Sequence, residues 1–289
     1  MTDWSAIFSL VLVQNMFVAT IVASIACGII GTYVVVKRIV FISGGIAHTT
    51  FGGVGFAYYL QSVFLVTWFS PMMGAILFAV TAAIIMGLPS IGKLLREDST
   101  IGVLWVIGMA LGVLFISLTN HNLVTVRSYE SILFGNILLV STNDLLLMSG
   151  LTVLILALVA FFYRDLQIVT FDEIHAKITG INVTLMNLML YVMIALTCVF
   201  IMNIVGIVLV IALLTIPAAL ATMFTEGLKE TMLWATLCSI VFSILGLLMS
   251  IEFNVPPGST VVLVLGTMFI IAMIGKALYD HRSLRKNTN

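Results

Sequence analysis

The sequence predicts an all-α fold, a polytopic transmembrane helical bundle that forms a single domain over residues 1–289. Hydrophobic residues make up 62% of the chain and charged residues 8%, and the mean hydropathy is +1.25. These proportions leave too little polar surface for a water-soluble protein. The apolar runs are also long and continuous, unlike the alternating segments of roughly ten residues that form membrane β-barrels. Helices are therefore expected to cross the bilayer.

About nine spans follow from the length of these runs, because about 20 apolar residues cross the hydrocarbon core as a helix. In chain order they are 7–36, 42–60, 64–88, 100–119, 143–163, 181–201, 204–222, 230–250 and 258–278. Eight spans remain an alternative, because two of the runs meet near residues 202–206 with almost no loop. The first span is not expected to be a cleaved signal, since no Lys or Arg precedes Lys37.

The basic residues predict the orientation of the bundle, because short cytoplasmic loops collect Lys and Arg. With the amino terminus outside, eleven of the 12 basic residues fall on the cytoplasmic side and only Arg127 falls outside. No block of basic residues indicates a nucleic-acid partner. The expected surroundings are therefore a lipid membrane and two aqueous phases.

The second predicted span contains the unusual run "FISGGIAHTTFGGVGF", residues 41–56. Small or polar residues recur every four positions in two adjacent rows: Gly44, His48 and Gly52, and Gly45, Thr49 and Gly53. Small residues allow close approach of helices where lipid surrounds them. This span is therefore expected at the centre of the bundle.

His48 lies on that small-residue face, at a depth where an ionisable group is a functional candidate by default. A neutral imidazole offers a nitrogen to a divalent metal such as zinc or manganese. The alternative is a structural imidazole that forms a hydrogen bond with a neighbouring helix. The residue alone does not decide between the two.

Two further stretches carry weaker signals. The charged stretch "YRDLQIVTFDEIHAKITGI", residues 163–181, has Ile174 and Ile178 four positions apart, as in a small amphipathic helix at the membrane surface. Gly180 is expected to end that helix. The stretch is either a solvated loop or a docking helix for a cytoplasmic partner.

In residues 205–222, Pro217 interrupts an apolar run, which indicates either a path-lining break or a packing kink.

Four segments together resemble a known family. In chain order they are "VFISGGIAHTTFGGVGFAYYL" (40–60), "LFGNILLVSTNDL" (133–145), "FDEIHAKITGI" (171–181) and "VGIVLVIALLTIPAALAT" (205–222). They resemble the signature segments of the permeases of bacterial and archaeal ABC importers for zinc, manganese and iron. The resemblance implies a type II ABC importer-like permease in the plasma membrane of a prokaryote. It also implies cytoplasmic ABC ATPase subunits, an external metal-binding protein and a second permease copy, identical or related.

The resemblance also assigns roles to residues. His48 becomes the candidate metal ligand, and the residues implied to pack along the transport path are Gly44, Gly45, Thr49, Gly52 and Pro217. Residues 164–180 become a cytoplasmic coupling segment, in which the implied ATPase contacts are Asp172, Glu173, Ala176, Lys177 and Gly180. One departure is clear, because many members carry an aspartate four residues before the histidine, where this chain has Gly44.

No permanently bound cofactor is expected, since the divalent metal ion is the transported cargo. The chain is not expected to be an enzyme, because it lacks the phosphate loop G-x-x-x-x-G-K-[ST] and ATP hydrolysis would take place in the partner. An intramembrane protease or hydrolase is not indicated either, since H-E-x-x-H and G-x-S-x-G are absent. A secondary carrier or channel for metal ions remains the alternative, although coupled carriers need intramembrane carboxylates and the spans contain almost none.

Overall fold

The computed structural model describes residues 9–88, 97–120, 123–126, 128–135 and 140–287. Over these residues the fold is all helical, as predicted, with no strand. The helices are α1 Val11–Val36, α2 Val40–Val63, α3 Pro71–Gly87, α4 Glu97–Leu118, α5 Tyr129–Phe134, α6 Thr142–Phe161, α7 Tyr163–Phe171, α8 Glu173–Ile178, α9 Val183–Val205, α10 Ile207–Thr222, α11 Leu228–Phe253 and α12 Pro257–Asn287.

The number of full-length spans is slightly lower than predicted. Seven helices in the described part of the chain are long and apolar enough to cross a membrane, namely α1, α2, α4, α6, α9, α11 and α12. The predicted spans 64–88 and 204–222 correspond to the shorter apolar helices α3 and α10, of 17 and 16 residues. A helix of that length reaches roughly 25 Å, less than the ~30 Å hydrocarbon core. Gly206, with φ +88°, separates α9 from α10, so these two helices are not merged.

The helices divide into a central and a peripheral group. In the most apolar stretch of 18 residues, 67% of α1 and of α9 is buried inside the bundle. The share for α2 is 78%, the largest value among the candidate spans. By contrast, only 17–28% of the corresponding stretches of α4, α6, α11 and α12 is buried, as expected of helices that face lipid. Helix α2 packs mainly against α3 and α4, whereas α1 packs mainly against α10 and α11. The predicted central position of the second span is therefore confirmed.

Glycines explain how α2 approaches two neighbours at once. A methyl group added to Gly53 would collide with the backbone carbonyl of Gly74 on α3. A methyl group added to Gly52 would lie 2.8 Å from the carbonyl oxygen of Gly108 on α4. The helix backbones are therefore in direct contact, which maximises van der Waals packing where lipid supplies no hydrophobic drive.

Candidate functional site

His48 lies about two turns into α2 and stacks on the indole of Trp105 in α4. The ring centroids are 4.3 Å apart and the rings are inclined by 16°. The Nδ1 atom is buried and has no hydrogen-bond partner among the described residues. The structural alternative required a hydrogen bond to a neighbouring helix, and at Nδ1 the structure shows none. A ring nitrogen therefore remains available as a ligand.

Trp105 also covers Gly44, one turn before His48. A Cβ atom on Gly44 would lie 2.9 Å from Cζ3 of Trp105. The indole therefore occupies the space into which a side chain at position 44 would project. Sequence reasoning missed Trp105, although one signal was present: it lies well inside an apolar span, whereas membrane tryptophans concentrate at the interfaces.

The other small residues of α2 form helix contacts. The hydroxyl oxygen of Thr49 lies 2.7 Å from the carbonyl oxygen of Gly45 and 3.1 Å from that of Leu104 on α4. A methyl group on Gly45 would meet Ile101 and Met86 at 3.0 and 3.1 Å. These contacts hold α2 against α3 and α4 and thereby fix the position of His48.

Pro217 belongs to another part of the bundle. It is buried within α10, whose main neighbours are α1, α11 and α12. Helix α10 contacts the His48 helix α2 less than it contacts these three helices. Among the described residues, no three His, Cys, Asp or Glu side chains cluster closely enough to hold a metal ion.

The segment predicted to be cytoplasmic, residues 164–180, contains two short helices rather than one. They are α7 and α8, separated at Asp172. The Asp172 carboxylate accepts hydrogen bonds of 2.9 Å from the backbone N–H groups of Ile174 and His175 and so caps the amino terminus of α8. At the other end, Gly180 has φ +83° and donates its N–H to the carbonyl of Lys177. This geometry confirms the predicted helix end at Gly180.

The segment presents apolar side chains outward. Phe171, Ile174 and Ile178 are 60%, 72% and 79% exposed. Ala176, in contrast, is fully buried against Val169, Val183 and Met186. The methyl group of Ala176 therefore attaches the segment to the bundle, and its contact with a partner stays a prediction. Lys177 is exposed and remains available to a partner.

Glu173 joins the segment to two long helices. Its Oε1 atom lies 2.7 Å from Nζ of Lys37, directly after α1, and accepts a 3.0 Å hydrogen bond from Nδ2 of Asn187 on α9. Burial alone would raise the pKa of Glu173. Hydrogen bonds from Lys37 and Asn187, with the charges of Lys37 and Lys177, outweigh burial and lower that pKa. The sequence indicated Glu173 but not Lys37, because their contact spans 136 positions.

A cavity of about 230 Å³ adjoins this network. It lies between α8 and the ends of α2, α3, α4 and α9 that are nearest to the segment, and its lining includes Ile42, Thr100, Glu173, Asn187 and Tyr191. Packing between the segment and the ends of α2 and α4 is therefore incomplete.

Comparison with protein families gives a match over almost the whole chain. The model of the ABC 3 transport family matches residues 9–276.

Three similar proteins are informative. A probable metal transport system membrane protein of Chlamydia trachomatis is 36% identical over 259 residues, which cover 89% of this chain and 87% of that protein. The manganese transport system membrane protein MntC of Halalkalibacterium halodurans is 32% identical over 259 residues, 90% of this chain and 85% of that protein. Among solved structures, PsaBC from Streptococcus pneumoniae in complex with Fab is similar with a TM-score of 0.80 and 29% identity, covering 93% of both chains.

Proposed function

Because this chain belongs to the ABC 3 transport family, we propose that it is the membrane permease of an ATP-driven importer for a divalent transition metal ion. Manganese is the first candidate cargo, since a relative at 32% identity is named a manganese transport system membrane protein. Zinc and iron are the other candidates. Imidazole nitrogen binds ions of this class.

The observation that carries the metal assignment is His48. An imidazole with a buried, unpartnered nitrogen lies in the most buried of the candidate spans. In such an environment an unpaired polar atom costs free energy unless a ligand or water satisfies it. A single nitrogen ligand binds weakly, which suits a path from which the ion must leave again.

The same proposal assigns the cytoplasmic segment to an ABC ATPase. Exposed Phe171, Ile174 and Ile178, with the charged Lys177, form an apolar surface with a basic residue, which suits a cleft on a partner protein. An external binding protein would deliver the ion and a second permease copy would complete the path. ATP-driven movement of the segment would then open His48 alternately to the two sides of the membrane.

A secondary carrier is less well supported. Acidic side chains in the described long helices lie close to helix ends: Asp98 in α4, Asp144 in α6, Glu230 and Glu252 in α11, and Asp280 in α12. Carriers coupled to protons or sodium use carboxylates deep in the membrane. The positions of these residues therefore favour ATP as the energy source.

Reconstitution tests the proposal. The permease is purified from its native membrane, any ABC ATPase that accompanies it is identified, and the complex is placed in liposomes with its binding protein. We expect uptake of Mn²⁺ that requires ATP, and competition with Zn²⁺ and Fe²⁺ ranks the cargo. Uptake driven by a proton or sodium gradient without ATP would instead identify a carrier.

A further inference from the structure

One ion pair connects the cytoplasmic segment to the start of the His48 helix. Besides the carboxylate of Glu173, Nζ of Lys37 contacts the backbone carbonyl of Val169 on α7 at 3.2 Å. Both short helices of the segment are thus bound to one ammonium group. Asn187 attaches the same carboxylate to α9. Lys37, Glu173 and Asn187 are called the clasp below.

The clasp is protected from water on the lysine side. The Lys37 side chain is only 9% exposed, whereas that of Glu173 is 43% exposed. An exposed ion pair exchanges its partners easily and contributes little. A buried ammonium group, in contrast, is costly to leave unpaired. Lys37 is therefore expected to follow the carboxylate when the segment moves.

The connection from Lys37 to α2 is short and hydrogen-bonded. Arg38 donates its backbone N–H to Val35, and Ile39 donates to Val34, which closes the end of α1. Arg38 adopts φ +61°, a left-handed conformation that costs free energy for a residue with a side chain. Helix α2 then begins at Val40. A displacement of Lys37 thus acts on α2 through two tightly held residues.

Other routes from the segment to α2 are looser. Ala176 is the buried residue of α8, and its apolar neighbours Val169, Val183 and Met186 lie in α7 and α9. The cavity of about 230 Å³ separates α8 from much of the cytoplasmic ends of α2 and α4. Apolar packing alone would therefore leave the segment free to move without α2.

We propose that the clasp transmits the movement of the segment to α2 and so couples ATP hydrolysis to the opening of the His48 path. This inference rests on the proposed function. Lys37 is a positioning residue in this scheme, because it acts on the path through α2 and contacts neither the ion nor the ATPase.

The number of ions imported per ATP hydrolysed tests the clasp. In the reconstituted complex, three quantities are measured per folded permease: bound ATPase, ATP hydrolysed and Mn²⁺ imported. For Lys37→Met we expect normal binding of the ATPase but about fivefold fewer ions imported per ATP, or fewer still. Lys37→Arg retains the charge and is expected to stay near wild type. Lys229→Met is the matched control, because Lys229 contacts the ring of Tyr163 at 4.9 Å and pairs with no carboxylate of the described residues.

A second variant tests the clasp if Lys37→Met does not fold. Glu173→Gln keeps an oxygen for the hydrogen bonds of Lys37 and Asn187 but removes the charge, and it is expected to lower the ratio of ions to ATP in the same direction. An unchanged ratio in a folded Lys37→Met or Glu173→Gln permease overturns the clasp. An equal decrease in ions imported per ATP in Lys229→Met would also overturn the clasp, since the effect would not be specific to the ion pair. Absence of ATP-dependent uptake in the wild type rejects the proposed function itself.

Discussion

The ring of His48 is held in a fixed orientation. The nearly parallel indole of Trp105 holds one face of the imidazole at a centroid distance of 4.3 Å. Stacked aromatic pairs contribute about 0.5–1.5 kcal/mol beyond the area they bury. The stack therefore fixes the ring without a hydrogen bond at Nδ1, the nitrogen that the proposed function offers to an ion.

Replacement of His48 separates the metal role from a structural one. His48→Ala removes the nitrogen ligand from a face of small residues, so we expect a folded permease whose Mn²⁺ uptake falls about tenfold or more, the loss expected for about 1.4 kcal/mol of binding. His48→Asn retains a polar group but is a poorer ligand for these ions, so its uptake also falls. The measurement is ATP-dependent uptake in liposomes.

The matched control is His281→Ala, which removes an exposed histidine at the end of α12. Its uptake is expected to equal that of the wild type. Normal uptake by a folded His48→Ala protein would contradict the ligand role. Normal uptake by His48→Asn, together with an unstable His48→Ala protein, would indicate a structural imidazole.

Position 44 tests whether Trp105 has replaced the carboxylate of other family members. In Gly44→Asp the new side chain meets the indole, since its Cβ would lie 2.9 Å from Cζ3. Such overpacking typically costs about 1–3 kcal/mol. We expect Gly44→Asp to lower the unfolding temperature of the wild type, and to lower it less when it is added to Trp105→Ala. Mn²⁺ retention, measured by equilibrium dialysis, should increase only in the double variant. Increased retention in the single variant would show that the indole does not obstruct this position.

At the scale of helices, the glycines of α2 determine how closely three helices approach. Gly53→Ala places a methyl group on the carbonyl of Gly74, so α2 and α3 must separate. We expect destabilisation of about 1–3 kcal/mol, measured by thermal unfolding in detergent. Gly102→Ala is the matched control in α4, because its new methyl group has no atom within 4 Å. It should be neutral or stabilising, since alanine favours helices by about 1 kcal/mol over glycine. Equal effects of the two substitutions would argue against close backbone packing.

The attachment of the segment is expected to depend on pH. Because the folded-state pKa of Glu173 lies below its ordinary value of 4.5, the ionised carboxylate stabilises the folded state. The unfolded state therefore binds the proton more readily than the folded state. The stabilisation of the folded state by the Glu173 carboxylate is complete above pH 4.5 and is lost as the pH falls through the lowered pKa. The charged groups facing the carboxylate are Lys37 and Lys177. Hydrogen exchange of residues 163–181 should increase only in that acidic range.

Glu173→Gln provides the comparison for this prediction. The glutamine does not titrate, so exchange in the segment should lack the acidic step that the wild type shows. An increase in wild-type exchange already between pH 5 and 7 would show that another group controls the attachment of the segment.

At the scale of the whole molecule, composition and periodicity predicted much of the fold. The long apolar runs predicted the helices, and the rows of small residues predicted that α2 is central. The span count was less accurate, since α3 and α10 are apolar but short and hydropathy does not show how deeply a short helix reaches. Gly180 was predictable because a helix end is a local event. The contacts of Trp105 and Lys37 were not, because their partners lie on other helices and a periodic pattern does not specify which helices pack together.

Orientation is the remaining property of the whole molecule that the charges predict. The assignment depends partly on Lys93, Arg96 and Arg127, which lie outside the described residues. Described positions on both sides nevertheless allow a direct test. Leu123 is exposed in the predicted outer region, and Thr179 is exposed at the end of the segment predicted to be cytoplasmic.

Labelling of single cysteines measures this orientation. Because basic residues concentrate on the cytoplasmic side, Leu123→Cys should react with an impermeant thiol reagent in intact cells, whereas Thr179→Cys should react only after the membrane is opened. The background protein has Cys27, Cys198 and Cys238 replaced, since these are the native thiols. Unlabelled background protein is the control for specificity, and labelling of opened membranes shows that each new thiol is reactive. The reverse pattern would place the proposed ATPase-docking segment outside the cell, where no ATP is supplied, and would contradict the importer as well as the topology.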